Sequence, residues 1–169
     1  MIKFILGWLA VMVIRLIPGR PANFEPMLAT VMPYSTRYGK FASFFFGFLG
    51  IFVFDLVSGQ VGVWTLVTAV SYGLLGLVAV YFFTKYPPST RNFVTFGIAG
   101  TVLYDAVTGL SIGPLFYGQP FMEALVGQVP FTLMHVLGTV VFAVVLSPAL
   151  LRFIVKNEKL ETKKVFALA

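Results

Sequence analysis

Two aspartates stand near the ends of otherwise apolar stretches of the sequence, Asp55 in one stretch and Asp105 in another. An ionisable group inside a membrane-spanning segment is costly, so it marks a functional-site hypothesis. A carboxylate in such a place can form an ion pair, contact a ligand, or share a proton with a second carboxylate as in an aspartyl-protease dyad. The surrounding sequence has to decide among these chemistries.

The two aspartates occupy equivalent positions in an internal repeat. Residues 47–59 align without gaps on residues 97–109, and five of the thirteen positions are identical. The identical pairs are Gly47/Gly97, Gly50/Gly100, Asp55/Asp105, Val57/Val107 and Gly59/Gly109. Many transporter folds contain such duplicated units. One return helix separates the copies, so we expect them to run parallel, with both aspartates at one depth near the outer surface. The glycines at helical spacing predict close helix packing.

The composition places these elements in a membrane. Of 169 residues, 59% are apolar and only 11% are charged, and there is no cysteine. Soluble domains carry about 25% charged residues, so a soluble enzyme and a soluble nucleic-acid binder are both excluded. The lack of cysteine excludes disulfides, Cys-ligated zinc and thiol catalysis, and a single histidine excludes a multi-histidine metal site. We predict an all-α integral membrane protein with no cofactor, no metal site and no nucleic-acid partner.

Six apolar segments qualify, or nearly qualify, as transmembrane helices, which need about 20 apolar residues. They cover residues 4–17, 24–34, 41–57, 63–83, 93–107 and 122–153. The second is short and bounded by prolines, and the last is long and is expected to bend or break near Pro130. Residues 1–155 form one transmembrane domain, and residues 156–169 form a basic cytoplasmic tail.

The basic residues orient the chain, since lysine and arginine flanking membrane spans stay preferentially in the cytoplasm. With both termini cytoplasmic, ten of the twelve lie inside: Lys3, Arg37, Lys40, Lys85, Arg91, Arg152, Lys156, Lys159, Lys163 and Lys164. Only Arg15 and Arg20 lie towards the outer face. A cleaved signal peptide is the alternative interpretation of residues 1–18, but no small-x-small cleavage site follows them. We therefore retain the first helix.

The outer face collects the acidic and aromatic residues expected of a ligand site. Glu25, Asp55, Asp105 and Glu123 fall at outer helix ends. The outer segments 18–25, 58–64 and 109–122 add aromatic and amide groups that suit an organic ligand. The predicted substrate-binding residues are Asn23, Glu25, Asp55, Trp64, Asp105, Tyr117 and Gln119. For the two aspartates, direct ligand contact and structural pairing, with Arg15 and Arg20 as partners, both remain open.

Two helices carry polar stripes. In the last helix, Gln128, Thr132, His135 and Thr139 project within about 60° of one another, so they must face protein or water. We expect His135 to make an interhelical hydrogen bond, with ligand contact or proton transfer as the alternative. A second stripe of Thr65, Thr68, Tyr72 and Gly76 is interpreted as packing.

Motifs of the common enzymes are missing. The sequence has no G-x-x-x-x-G-K-[ST] phosphate loop, no H-E-x-x-H and no G-x-S-x-G. Tyr104-Asp105 superficially matches one motif of intramembrane aspartyl proteases, but the partner motif G-x-G-D is absent. The protease is a remote alternative, and we predict that the chain is not an enzyme.

Four stretches carry a resemblance to a known family. They are N-F-E-P at 23–26, F-D-L-V-S-G-Q-V-G-V-W-T at 54–65, Y-D-A-V-T-G with G-P-L-F-Y-G between 104 and 118, and G-Q-V-P-F-T-L-M-H at 127–135. Together with the six-helix plan, they resemble S components of energy-coupling-factor (ECF) transporters over nearly the whole chain. The resemblance implies capture of a vitamin or a related small organic micronutrient near the outer face of the prokaryotic cytoplasmic (inner) membrane. It also implies a membrane coupling protein and two ATPase subunits as partners.

The first helix departs from this family's pattern. S components that share a coupling module usually carry A-x-x-x-A in that helix, whereas this chain has only Gly7 and Ala10, three residues apart. Docking of a coupling module to the first helix is therefore in question. The alternatives are another contact surface, a dedicated coupling module, or no coupling module.

A second class of function is also open. Rod-shape-determining membrane proteins share the six-helix plan and act as scaffolds that do not transport. An enclosed site joining Asp55, Asp105 and the outer loops favours transport, whereas a flat apolar outer face favours the scaffold. The outer acids favour a cationic or amine-bearing heterocycle, although Arg15 and Arg20 can instead hold a carboxylate.

Overall fold

The computed structural model describes residues 1–161, and the chain is helical through nearly all of them. The helices are α1 (Ile2–Arg15), α2 (Met27–Ser35), α3 (Lys40–Val57), α4 (Val63–Lys85), α5 (Thr90–Gly109), α6 (Ile112–Tyr117) and α7 (Phe121–Leu150). A π-helical segment, Leu151–Val155, continues α7, and a 3₁₀ turn covers Glu158–Leu160. The predicted tail residues Lys163 and Lys164 lie outside the described residues.

Four helical segments are long and apolar enough to cross a membrane. They are Lys40–Val57, Val63–Lys85, Thr90–Tyr117 and Phe121–Val155. Each of the six predicted segments corresponds to a helix, and α1 and α2 are the short ones. The short helix α6 lies inside the segment 109–122, which the sequence had indicated only as an outer loop. It ends at Gly118, whose φ of 64° lies in the left-handed region that glycine tolerates.

Of the predicted bend or break near Pro130, the break does not occur, because α7 continues through this residue to Leu150. Membrane helices tolerate an interior proline where neighbouring helices and side chains satisfy the freed backbone groups. Regular α-helical geometry ends only at Leu151, where the amide of Lys156 donates to the carbonyl of Leu151, five residues back.

Helix α2 forms the centre of the bundle, since all nine of its residues are buried. Its backbone is tied to two neighbours. Ser147 Oγ on α7 donates to the carbonyl of Ala29 at 2.6 Å. Ser35 Oγ at the end of α2 donates to the carbonyl of Gly76 on α4 at 3.3 Å. A helix this short can stay in an apolar core because its own chain surrounds it and satisfies its polar groups.

The glycines of the repeat provide close helix contacts, as predicted. A Cβ atom on Gly47 would meet the backbone of Tyr72, so α3 and α4 touch at main-chain distance. The equivalent Gly97 lies against the side chain of Thr139 on α7. Gly50 and Gly100 lie against two consecutive residues of α2, Met27 and Leu28. The repeated helices α3 and α5 therefore flank α2 and pack mainly against α4 and α7 respectively.

The ends of several segments meet at a basic end of the molecule. Lys3 Nζ at the start of α1 donates to the carbonyl of Val155 at 3.0 Å. Arg37 after α2 and Lys3 both pair with Glu161, at 2.8 Å and 3.7 Å. The first and last described segments therefore lie at the same end. The antiparallel connections carry Arg15, Glu25, Asp55 and Asp105 to the opposite end.

Candidate substrate site opposite the basic end

Glu25 lies between two arginines. Its Oε2 is 3.2 Å from Arg15 Nε, and its Oε1 is 3.3 Å from Arg20 Nη1. Of the two alternatives left open for the aspartates, pairing with Arg15 or Arg20 does not occur within residues 1–161, because both arginines pair with Glu25. The segment between α1 and α2 turns back through Gly19 and Asn23, which have φ of 77° and 64°, and so it brings Glu25 to the end of α1.

Neighbouring helices support this ion-paired loop. The Arg15 guanidinium lies over the ring of Phe54 on α3, 3.6 Å from its centroid. A Cβ atom on Gly138 would meet the backbone of Phe24 and Glu25. The absence of a side chain at Gly138 therefore allows the loop to approach α7, and Glu25 sits close to the helix that carries His135.

Asp55 is buried and satisfied by its own half of the bundle. Thr65 Oγ1 donates to Asp55 Oδ2 at 2.6 Å, and the amide of Gly62 donates to Thr65 Oγ1 at 3.1 Å. The carboxylate therefore ties the end of α3 to the first turn of α4. With 7% of its surface exposed, Asp55 is not a solvated carboxylate.

Asp105 belongs to a hydrogen-bonded chain across three helices. His135 Nδ1 on α7 lies 2.8 Å from Asp105 Oδ1 on α5, and His135 Nε2 lies 3.3 Å from the hydroxyl of Tyr72 on α4. With the carboxylate ionised, His135 donates from Nδ1 and accepts from Tyr72 at Nε2, since the partner of one ring nitrogen sets the tautomer. The predicted interhelical contact of His135 is confirmed.

Several buried polar atoms at this end have no hydrogen-bond partner within residues 1–161. They are Asp105 Oδ2, Glu25 Oε2, Arg15 Nε, Arg15 Nη1 and Arg20 Nε. Glu25 Oε2 and Arg15 Nε contact each other as an ion pair at 3.2 Å, but without the geometry of a hydrogen bond. Tyr72 and Tyr104 lie within electrostatic range of Arg15, Glu25 and Asp105, and Tyr104 also lies within range of Asp55. We call Arg15, Glu25, Tyr72, Tyr104, Asp105 and His135 the buried polar cluster. An unsatisfied buried polar group costs about 1–3 kcal/mol, more if charged. A ligand that supplies the missing hydrogen bonds would therefore stabilise this cluster.

The other predicted site residues, which we call the rim residues, are exposed or half-buried at the same end of the molecule. The rings of Trp64 and Tyr117 are 6.5 Å apart, and both side chains are exposed. Gln119 is exposed, and its backbone N–H donates to the carbonyl of Gly113 at 3.2 Å. Asn23 is half-buried two residues before Glu25. Gln128 donates to Thr132 at 3.1 Å along α7. The structure thus gathers Glu25, Asp105, Arg15 and His135 in one cluster and leaves Asp55 with Thr65.

Sequence reasoning missed the polar roles of Thr65 and Tyr72, which it had assigned to a packing stripe. The sequence did carry a signal for these roles. Thr65 and Tyr72 place two hydroxyl groups on one face of an apolar helix, two turns apart, and the neighbouring helices carry two aspartates. The separate partners of the aspartates also oppose the protease alternative, because a proton-sharing dyad requires the two carboxylates to contact each other.

The comparison with known families decides the class of protein. The family model described as "ECF-type riboflavin transporter, S component" matches residues 2–152. The chain belongs to this family. No curated protein and no solved structure matches it significantly. The S component is a multi-pass membrane protein, the substrate-capture subunit of an ECF-type vitamin importer. It is a transport subunit rather than an enzyme, and it works with a transmembrane partner and ATPase partners.

The departure in the first helix of this S component has a structural counterpart. A Cβ atom on Gly7 would meet the rings of Tyr34 and Phe46. Gly7 therefore faces the protein interior. The Gly7–Ala10 pair does not form a small-residue surface on the outside of α1.

Proposed function

We propose that this S component captures riboflavin or a closely related flavin at the buried polar cluster. We place that end at the outer face of a prokaryotic cytoplasmic membrane, since the basic end then lies inside in accordance with the positive-inside rule. Because the sequence carries no phosphate-binding loop of the G-x-x-x-x-G-K-[ST] type, ATP hydrolysis falls to the partner subunits. Docking to the coupling protein uses a surface other than Gly7 and Ala10.

The proposal rests on one buried hydrogen-bond acceptor and one buried hydrogen-bond donor that lack partners. Among residues 1–161, Asp105 Oδ2 is a buried acceptor without a donor, and Arg15 Nη1 is a buried donor without an acceptor. The pyrimidine edge of a flavin presents an N–H group flanked by two carbonyl oxygens. Such an edge offers a donor for the aspartate and acceptors for the arginine. Satisfying both groups where water is scarce converts a destabilising arrangement into binding energy.

The charges of the cluster suit a neutral ligand. The guanidinium groups of Arg15 and Arg20 both pair with Glu25, and the formal charges of these two arginines, Glu25 and Asp105 sum to zero. A cationic heterocycle or a carboxylate ligand would leave an excess charge in a buried site, which is costly. Riboflavin carries no ionised group at neutral pH. A neutral flavin therefore replaces the cationic or amine-bearing heterocycle that the acidic residues of the outer face favoured in the sequence analysis.

The rim residues extend the proposed site. Trp64 and Tyr117 offer aromatic faces close to one another, and such faces bind planar ring systems by offset stacking. Asn23 and Gln119 offer amides for the hydroxyl groups of the sugar-alcohol chain. His135 and Tyr72 position Asp105, and Glu25 positions Arg15. Asp55 has a packing role in this assignment, because Thr65 already binds its carboxylate.

A chemical double-mutant cycle tests the contact between Asp105 and the flavin N–H. The purified protein, Asp105→Asn and the matched repeat variant Asp55→Asn are titrated with riboflavin and with riboflavin methylated at its ring N–H. Flavin fluorescence reports binding. We expect Asp105→Asn and the methyl group each to weaken binding about tenfold or more, the effect of losing about 1.4 kcal/mol, whereas Asp55→Asn keeps nearly full affinity. The two losses should not add, because both remove the same hydrogen bond.

Two results would overturn parts of this proposal separately. Equal riboflavin affinity in all three proteins would remove Asp105 from the site while leaving the substrate in place. No riboflavin binding by the folded parent protein would remove the flavin itself. In the parent protein, riboflavin at a hundred times its Kd should stabilise the fold by about 2.7 kcal/mol, which a thermal unfolding curve detects.

A further inference from the structure

A groove opens at the basic end, between the start of α5 and the π-helical segment. Its volume is about 380 Å³. Its apolar wall consists of Pro88, Phe93, Pro148 and Leu151. The groove is far from the buried polar cluster, since α5 begins here and reaches Asp105 only near its other end.

The polar wall of the groove is basic. It consists of Ser89, Thr90, Arg152 and Lys156. Arg152 and Lys156 are one turn apart on the same segment, and both are exposed. In the part of the chain that the structure describes, neither forms an ion pair, and the carboxylate of Glu161 is taken by Lys3 and Arg37. The groove therefore presents two uncompensated cations beside two hydroxyl groups.

The place of the groove indicates what neutralises it. It lies at the end of membrane-spanning helices, at the depth of lipid headgroups, and on the side that the positive-inside rule assigns to the cytoplasm. Basic pockets between helices on this side bind anionic headgroups. The apolar wall runs beside the cations, and Phe153 next to Arg152 is 61% exposed, so one molecule with a phosphate and acyl chains can contact both surfaces.

We propose that this groove binds the phosphate headgroup of an anionic phospholipid of the cytoplasmic leaflet. Arg152 and Lys156 hold the phosphate, the hydroxyl groups of Ser89 and Thr90 donate to its oxygens, and an acyl chain runs along Phe93 and Leu151. The site does not depend on the identity of the captured vitamin. It fixes the junction between α5 and the end of α7 to the membrane surface.

The test uses detergent-purified full-length protein and short-chain phosphatidylglycerol, with short-chain phosphatidylcholine and inorganic phosphate as parallel probes. Thermal unfolding is followed against probe concentration. The groove variant is Arg152→Gln/Lys156→Gln, and the matched control is Lys40→Gln/Lys85→Gln, which removes the same charge at the same end but outside the groove. We expect phosphatidylglycerol to stabilise the parent and the control. Its apparent affinity for the groove variant should fall roughly thirtyfold, from about 1 kcal/mol per basic residue.

Three outcomes would overturn the proposal. An unchanged affinity in the groove variant would remove Arg152 and Lys156 from any site. Equal stabilisation by phosphatidylcholine would show apolar binding without headgroup recognition. Equal stabilisation by inorganic phosphate would show a site for a soluble anion rather than a lipid. Circular dichroism of the groove variant confirms that it is folded before these outcomes are interpreted.

Discussion

The two copies of the repeat place the same residue in two different environments. Asp55 is hydrogen-bonded to Thr65 at the start of the next helix. Asp105 is hydrogen-bonded to His135 across the bundle, and its other oxygen has no hydrogen-bond partner in the described part of the chain. Gly50 and Gly100, five residues ahead of each aspartate, both pack against α2. Each copy of the repeat therefore keeps its contact with α2, while the polar role of its aspartate is set by the helix that faces it.

The partner of Asp105 should matter more for stability than the partner of Asp55. His135→Leu removes the side chain that hydrogen-bonds to the buried carboxylate of Asp105, and an unsatisfied buried group costs about 1–3 kcal/mol, more when it is charged. Thr65→Val removes two hydrogen bonds, one donated to Asp55 and one accepted from the amide of Gly62, and such bonds in membrane proteins contribute about 0.6 kcal/mol each on average. Unfolding of both variants in detergent, followed by circular dichroism, measures the difference. Equal losses would mean that the two aspartates are equivalent after all.

The repeat glycines should differ in the same way, with a smaller effect. Gly47→Ala pushes a methyl group into the backbone of Tyr72, which cannot move aside, and overpacking of this kind costs about 1–3 kcal/mol. Gly97→Ala meets only the side chain of Thr139, which can shift. We expect the stability loss of Gly47→Ala to be about twice that of Gly97→Ala in the same unfolding assay. The reverse order would contradict the close contact between α3 and α4.

The smallest effect is expected at Tyr72, the last residue in the hydrogen-bonded chain that runs from Asp105 through His135. Tyr72→Phe keeps the ring that packs on Tyr104 and removes only the hydroxyl 3.3 Å from His135. Stability should fall by about 0.6 kcal/mol, while riboflavin affinity should fall several-fold because His135 is less firmly oriented. Tyr81→Phe, on the same helix but outside the cluster, is the control. A stability loss without any change in affinity would reduce Tyr72 to packing.

Most of the helical plan was predictable because it depends on local composition and on spacing. The apolar runs locate the helices, the basic residues divide the molecule into two ends, and the repeat identifies Gly47 and Gly97 as packing positions. The six-residue helix α6 was not predicted, because so short a segment carries no clear period.

The polar pairing at the site was less predictable, since it depends on how loops fold back. Glu25 reaches Arg15 only because the segment between α1 and α2 turns at Gly19 and Asn23. Tyr72 joins His135 only because α4 faces α7 at that level. Sequence spacing finds residues on one face of a helix, but it does not reveal which face of another helix they meet.

The central position of α2 has a consequence for the synthesis of the protein. Nine residues span only about 13 Å, less than half of the roughly 30 Å apolar layer, so α2 is a weak insertion signal for the translocation machinery. The carbonyl of Ala29 finds its donor in Ser147, which leaves the ribosome more than a hundred residues later. The second helix to be translated therefore reaches its final place only after the last helix has entered the membrane.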